Sequence, residues 1–87
     1  MSNRMVIITR EQSRAARALL GGLPVEAIRT KAGLGQNTID KFENGRARMN
    51  MDSMLKLVAA YHALGIEFPD EHTVRRNPAV QELDRAA

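Results

Sequence analysis

The residues whose chemistry is most specific stand together between positions 36 and 41. Gln36 and Asn37 carry amides, and such an amide can form two hydrogen bonds at once with the N6 and N7 atoms of adenine. Lys41 lies on the same outward side of a helix that the pattern predicts from Gln36 to Asn44, and it can reach guanine O6 and N7. A helix that only packs and meets solvent usually shows glutamate, lysine and alanine outside. These residue types indicate contact with base edges of DNA.

The first element that frames this segment is a predicted helix beginning at Thr9. The Thr9 hydroxyl and the Gln12 amide have the spacing of a capping box, and Gly21-Gly22 ends the helix. At 100° per residue, one side of it is predicted to be apolar and the other to be an arginine stripe. The apolar side comprises Ala15, Ala16, Leu19 and Leu20, and the stripe comprises Arg10, Arg14 and Arg17.

Two short helices follow, joined by a turn that contains glycine. The first is predicted to have Pro24 at its first position and to end at Gly33. The second is predicted to run from Gln36 to Asn44 and to stop at Gly45. Their apolar sides comprise Val25, Ile28 and Ala32 in the first, and Thr38, Ile39 and Phe42 in the second. Short helices joined by such a turn are typical of a helix-turn-helix.

A fourth helix is predicted from the cap Asn50 to Leu64, closed by Gly65. Its apolar stripe comprises Met51, Met54, Leu55, Leu57, Val58 and Tyr61. Three short strands are predicted toward the chain ends. One comprises Met5 to Ile8, and the other two, Ile66 to Phe68 and Thr73 to Arg75, flank a turn at Pro69-Asp70. Residues 78–85 are open to two interpretations, a short helix after Asn77-Pro78 or a frayed tail.

Length and composition restrict the class of protein. We expect a single domain over residues 1–87, with a helical core at 9–65 and an extension at 66–87. The end of the fourth helix together with this extension could serve dimerisation, because the apolar residues Ile66, Phe68 and Val74 exceed what one small core needs. The chain has no cysteine, which excludes disulfides and thiolate zinc sites. The longest apolar run, Met5 to Ile8, is far too short to span a membrane, and no signal-peptide pattern is present. We therefore expect a cytoplasmic protein without a membrane partner.

Charge is unevenly divided between the two halves. Residues 1–50 carry a balance of +5 and residues 51–87 a balance of −2, within a net charge of +3. This division of charge is compatible with a basic surface that binds a polyanion and a separate, mildly acidic surface elsewhere. It is equally compatible with an ordinary solvated surface.

The segment from Leu23 to Arg46 resembles the repressor/Cro-type (XRE-like, lambda-repressor-like) helix-turn-helix family. The most specific element is Thr-Ile-x-x-Phe-Glu-Asn-Gly-Arg at Thr38 to Arg46, and the similarity extends over roughly residues 9 to 68. The resemblance implies an all-α fold, a compact domain of four to five helices to which the terminal strands could add a small hairpin. It also implies a homodimer that acts on operator DNA.

The resemblance assigns roles to individual positions. It implies base reading by Gln36, Asn37 and Lys41, and a pair between Glu43 and an arginine of the first helix, with Arg17 the first candidate and Arg14 the second. The implied phosphate contacts lie near Val25, Thr38, Asn44, Arg46 and Arg48, and the stripe residues Arg14 and Arg17 are further candidates. Where the family often has Ser-Gln, this chain has Pro24-Val25, so one usual phosphate contact is missing.

The sequence offers little for catalysis. His62 and His72 have no carboxylate at metal-ligand spacing, the serines have no adjacent base, and no glycine loop for phosphate follows a strand. We expect that the protein is not an enzyme and that it binds no cofactor, metal or small-molecule ligand.

Two functions remain open. One is a sequence-specific repressor or activator, for example of a phage, mobile-element or toxin–antitoxin operon. The other is a protein-interaction module or antitoxin of the same fold.

Overall fold

The computed structural model describes residues 7–77 and contains four α-helices and a two-stranded sheet in that range. The elements are α1 (Arg10–Leu19), α2 (Val25–Ala32), α3 (Thr38–Glu43), α4 (Met51–Ala63), β1 (Ile66–Glu67) and β2 (Arg75–Arg76). The compact, mostly helical architecture and the small hairpin agree with the expectation from sequence. No helix in this part of the chain is long and apolar enough to cross a membrane.

Helix α1 begins as predicted. Thr9 Oγ1 accepts a hydrogen bond from Gln12 N at 3.0 Å, and Gln12 Oε1 accepts one from Thr9 N at 3.0 Å, which completes the capping box. The buried side was predicted correctly for Ala16 and Leu20, whereas Ala15 and Leu19 are exposed and Gln12 and Ser13 are buried in their place. The two polar side chains can be buried because both are hydrogen-bonded, Gln12 to the Asp70 and Thr73 carbonyls at 2.7 and 3.0 Å.

Helices α2 and α3 are shorter than predicted. Pro24 is the cap of α2 and not its first residue, while Gly33 ends the helix in the left-handed conformation. Helix α3 begins at Thr38 and not at Gln36, because Asn37 has φ of 68°, which no residue inside a right-handed helix adopts. Gln36 therefore belongs to the turn.

Helix α4 has the predicted cap, since Asn50 Oδ1 accepts a hydrogen bond from Ser53 N at 2.8 Å. Its buried side comprises Met54, Leu57, Val58, Ala60 and Tyr61. Met51 and Leu55, which were predicted on the buried stripe, are 50% and 46% exposed. The apolar pattern of α4 is thus wider than the core it covers.

The hairpin pairs Ile66 with Arg76 and Glu67 with Arg75 in antiparallel register. The second strand lies later than predicted, at Arg75–Arg76. Ile66 and Phe68 are fully buried and the Phe68 ring meets the Tyr61 ring edge-on, with centroids 5.8 Å apart. These two residues complete the core of this chain, so they are not surplus apolar surface for a partner.

The remaining terminal predictions concern the two chain ends. Met5 and Val6 lie outside the described residues, while Ile7 and Ile8 are not in a strand, although Ile8 is buried. The alternatives for residues 78–85 also concern positions that the structure does not describe.

Candidate nucleic-acid interface

The turn between α2 and α3 is fixed from both sides. Leu34 is buried in the core, and Arg29 of α2 donates from Nη1 to the Leu34 carbonyl at 2.9 Å. Glu26, one turn earlier, accepts from Arg29 Nε at 3.0 Å, and this hydrogen bond lowers the pKa of Glu26. The backbone that leads to Gln36 and Asn37 is therefore anchored by a residue that sequence analysis did not single out.

The three amide and amine side chains predicted to read bases are all exposed. Lys41 N donates to the Asn37 carbonyl at 2.9 Å, so Lys41 follows Asn37 by one helical turn. On the opposite side of α3, Ile39 is completely buried, while Thr38 and Phe42 are partly buried. The structure thus brings Asn37 and Lys41 onto one exposed surface, with Gln36 just before it.

The loop after α3 holds three of the predicted phosphate contacts, because Asn44, Arg46 and Arg48 are all exposed there. Gly45 makes the bend with φ of 74°, and Arg46 N donates to the Lys41 carbonyl at 2.8 Å. Arg46 and Arg48 line a shallow surface depression that extends to the start of α1.

Arg10 lies across this depression from the loop. Its guanidinium approaches the Cα of Gly45 so closely that a Cβ built on Gly45 would stand 1.8 Å from Nη1 of Arg10. Arg10 Nε also donates to Glu11 at 3.2 Å. The depression therefore carries three guanidinium groups against a single carboxylate, that of Glu11, among its lining residues.

Glu43 is the charged centre beneath this surface. It is only 3% exposed, and its two carboxylate oxygens accept from Arg17, Oε1 from Nη2 at 2.5 Å and Oε2 from Nε at 3.1 Å. Arg17 Nη1 donates to the Leu23 carbonyl at 3.0 Å. The hydrogen bonds to Glu43 raise the pKa of Arg17. All three guanidinium nitrogens thus face protein acceptors, and this geometry suits a structural pair better than a phosphate contact.

Two further hydroxyls complete the same network. Ser13 Oγ donates to Glu43 Oε2 at 2.5 Å and lies 2.8 Å from Tyr61 Oη, which also approaches the Ser13 carbonyl at 3.1 Å. Burial raises the pKa of Tyr61 to about 12. The carboxylate of α3 is thereby tied directly to Ser13 and Arg17 of α1, and through Ser13 to Tyr61 of α4.

Arg14 approaches the same helix from another direction. Its Nη1 donates to the backbone carbonyl of Glu43 at 2.6 Å, while the residue as a whole remains exposed. A cation at the last residue of α3 satisfies a carbonyl that has no partner inside the helix. Arg14 is therefore next to the exposed surface of α3 and not part of the buried pair.

Sequence reasoning missed Ser13, Tyr61 and Arg29. Ser13 was considered only as a nucleophile and Tyr61 only as an apolar residue, whereas each supplies a hydroxyl to the network around a buried carboxylate. A signal for Ser13 existed, because it lies four residues before Arg17 and therefore one turn away on the same side of α1.

Comparison with known proteins returned no matching family model, curated protein or solved structure. Among residues 7–77, no group of three or more histidine, aspartate and glutamate side chains is placed to hold a metal ion.

Proposed function

We propose that this protein is a sequence-specific DNA-binding transcriptional regulator, a repressor or activator of the repressor/Cro-type helix-turn-helix class. The observation that carries the proposal is the exposure of Gln36 and Asn37 in the turn before α3 and of Lys41 on α3 itself, while the opposite side of α3 is buried. Base reading needs donors and acceptors with fixed positions, because each hydrogen bond tolerates little displacement. The hydrogen bonds of Glu43 to Arg17 and Ser13 hold α3 in place for such contacts.

The charges around that surface support a polyanionic partner. Arg46 and Arg48 follow α3, Arg14 lies at its C-terminal end, and Arg10 lies across the depression from the loop. Phosphate contacts supply most of the affinity and orient a protein on the duplex, whereas base contacts discriminate between sequences. In this proposal the residues that meet phosphates are Thr38, Asn44, Arg46, Arg48, Arg14 and Arg10.

Arg17 has a different role in the proposal. Its guanidinium is occupied by Glu43 and Leu23, so it positions α3 without touching DNA. If the Arg17 guanidinium moved to a phosphate, the buried Glu43 carboxylate would lose its charged partner, and the free energy of folding would become less favourable. The structural role is therefore favoured over the phosphate contact.

A homodimer is part of the proposal, because one short helix offers few base contacts. Two copies related by a two-fold axis would read half-sites of a palindrome about 34 Å apart, one helical turn of DNA, or a multiple of it. We also propose that the protein acts in the cytoplasm.

The test begins with selection of bound duplexes from a random pool, so that the preference of the protein itself defines the cognate site. Fluorescence anisotropy then compares cognate and scrambled duplexes at several salt concentrations. We expect Gln36→Ala to weaken cognate binding by about 1–3 kcal/mol and to leave scrambled binding nearly unchanged.

Arg46→Ala should instead weaken both duplexes and lower the salt slope by about one unit. Arg75→Ala, which removes one exposed charge from the hairpin, is the matched control and should change neither. If selection enriches no sequence, or Gln36→Ala weakens both duplexes equally, the chain does not read DNA sequence. The alternative of a protein-interaction module would then be favoured.

A further inference from the structure

We propose that the outer side of α4 is the surface on which a second copy of this chain docks, by antiparallel packing of α4 against α4 across a two-fold axis. This inference rests on the proposed function only where it concerns the arrangement on DNA. The association itself requires no nucleic acid.

The first observation is an unburied apolar stripe on α4. Met51 and Leu55 are 50% and 46% exposed, and they are two of the four large apolar side chains that are exposed within residues 7–77. They lie four residues apart, hence on one side of the helix, and exposed Ala59 continues that side by another turn. The opposite side of α4 already covers the core.

The second observation argues against the other candidate dimer surface, the extension after α4. The end of α4 together with the extension that begins at residue 66 was the expected dimer interface, on the premise that Ile66, Phe68 and Val74 exceed what one small core needs. Both are fully buried within the same chain, and Val74 packs against the same core. Within the described residues, the apolar surplus lies on α4 instead.

The third observation favours a second copy of the chain as the occupant, because the charges on α4 are self-complementary. Asp52 and Lys56 form an ion pair of 3.5 Å along one edge of the stripe, with the acid one turn before the base. A two-fold axis places the same edge of two antiparallel helices side by side, with the residue order reversed. Asp52 of one copy then faces Lys56 of the other, and the reverse pair forms by symmetry.

The apolar residues give the same register. When Asp52 faces Lys56 of the second copy, Met51 of each copy lies beside Leu55 of the other. The symmetry therefore gives two Met51–Leu55 contacts, which cover all four of these apolar side chains. The axis then passes between Ser53 and Met54, in the N-terminal half of α4.

The interface is small. One side of a 13-residue helix from each copy cannot reach the roughly 1,200 Å² typical of a stable complex. A weak, concentration-dependent dimer is therefore expected in solution, with tighter association when both copies bind one duplex.

Sedimentation velocity of the full chain without DNA, over a wide concentration range, tests the surface. Leu55→Lys should raise the dissociation constant about tenfold or more, since it places a charge at the centre of the interface. Leu19→Lys is the matched control, because Leu19 is 42% exposed on α1, and it should leave association unchanged. Circular dichroism checks that both variants fold, and Met51→Lys repeats the test at a second position.

A charge exchange tests the register. The Asp52→Lys variant has only basic side chains on this edge, and the Lys56→Asp variant has only acidic ones. Like charges would then face each other across the two-fold axis, so each variant alone should be monomeric. An equimolar mixture should form a heterodimer. A monomeric wild type at every concentration, a Leu55→Lys dimer or a mixture that stays monomeric would overturn the inference. A chain that does not dimerise through α4 yet discriminates cognate DNA would overturn this inference and leave sequence-specific DNA binding intact. A chain that dimerises through α4 but selects no DNA sequence would support this inference and overturn the proposed function.

Discussion

Ser13 of α1 donates a hydrogen bond of 2.5 Å to the carboxylate of Glu43 in α3, across 30 residues of sequence. Glu43 is the last residue of α3, so its position determines how the helix lies against the core. A carboxylate this deeply buried is tolerable only when its oxygens are satisfied, and Arg17 and Ser13 together satisfy them. The exposed surface of α3 is thus oriented by a charge beneath it.

Removal of this carboxylate should be costly. Glu43→Ala leaves Arg17 without its partner, and we expect the free energy of unfolding to fall by about 3–5 kcal/mol. Ser13→Ala should cost about 1–3 kcal/mol, because the carboxylate loses one donor in a buried site. Urea denaturation followed by circular dichroism measures both. Glu71→Gln, in the exposed turn of the hairpin, is the control and should change stability by less than about 0.5 kcal/mol.

The two substitutions should also be coupled. In the Ser13→Ala, Glu43→Ala double variant, the loss at Ser13 should be much smaller than in the wild-type background, because its acceptor is already gone. Strict additivity of the two losses would contradict the proposed network.

Stability should fall in alkali because of Tyr61. Its pKa is about 12 in the folded chain against an ordinary 10.0, so the unfolded chain loses the proton first as the pH rises. The stabilisation is fully present below pH 10 and is lost progressively as the pH rises from about 10 to about 12, on the order of 3 kcal/mol in total.

Tyr61 can be followed directly, because it is the single tyrosine of a chain without tryptophan. Phenolate absorbance should rise near pH 12 in the folded protein, or together with unfolding if the chain unfolds first. Tyr61→Phe is the control and should show a flatter loss of stability over the same interval. A phenolate that forms near its ordinary pKa while circular dichroism remains native would contradict the burial of this hydroxyl.

Asn37 is held in the left-handed region with φ of 68°, so its backbone and side-chain roles must be separated. Asn37→Ala removes the amide and also strains the backbone, which we expect to cost about 1 kcal/mol of stability. Asn37→Gly removes the amide without strain and should melt at or slightly above the wild-type temperature. If the amide reads a base, both variants should lose cognate affinity to a similar extent. A loss in Asn37→Ala alone would assign the effect to backbone strain.

The two sides of α3 should respond differently to truncation. Ile39 is completely buried, and Ile39→Ala should cost about 2–5 kcal/mol by opening a cavity. Lys41→Ala should shift stability by less than about 0.5 kcal/mol, because its side chain is exposed. Thermal melts compare the two, and equal losses would mean that the sides of α3 are assigned wrongly.

Local signals in the sequence predicted much of this fold. Thr9 with Gln12, Asn50 and Gly33 mark helix ends through hydrogen bonds to near neighbours or through a backbone conformation, so their effect can be inferred without the tertiary structure. The start of α3 was misplaced because asparagine is compatible both with a helix and with the left-handed region, and no local rule decided between them.

The buried network could be predicted only in part. The pair of Arg17 with Glu43 followed from the family resemblance, whereas the hydroxyls of Ser13 and Tyr61 join it across 30 residues and across another helix. Helical periodicity assigned Tyr61 to the core by its ring and gave no reason to expect a polar partner. The exposure of Met51 and Leu55 was missed for a similar reason, because periodicity identifies an apolar stripe and not what covers it.

Substitutions at Gly45 and Arg10 test whether the basic depression beside α3 contacts DNA. A Cβ at position 45 would stand 1.8 Å from Arg10 Nη1, so Gly45→Ala must displace this guanidinium as well as strain a backbone with φ of 74°. We expect Arg10→Ala to weaken cognate and scrambled DNA alike and to lower the salt slope by about one unit, as for one lost phosphate contact. Gly45→Ala should weaken both duplexes to a smaller extent, because the displaced charge remains nearby. In the Arg10→Ala background, Gly45→Ala should affect DNA binding far less, while its cost in melting temperature should persist because the strained backbone is unchanged. Anisotropy titrations at several salt concentrations give the slopes, and an unchanged slope in Arg10→Ala would remove Arg10 from the proposed interface.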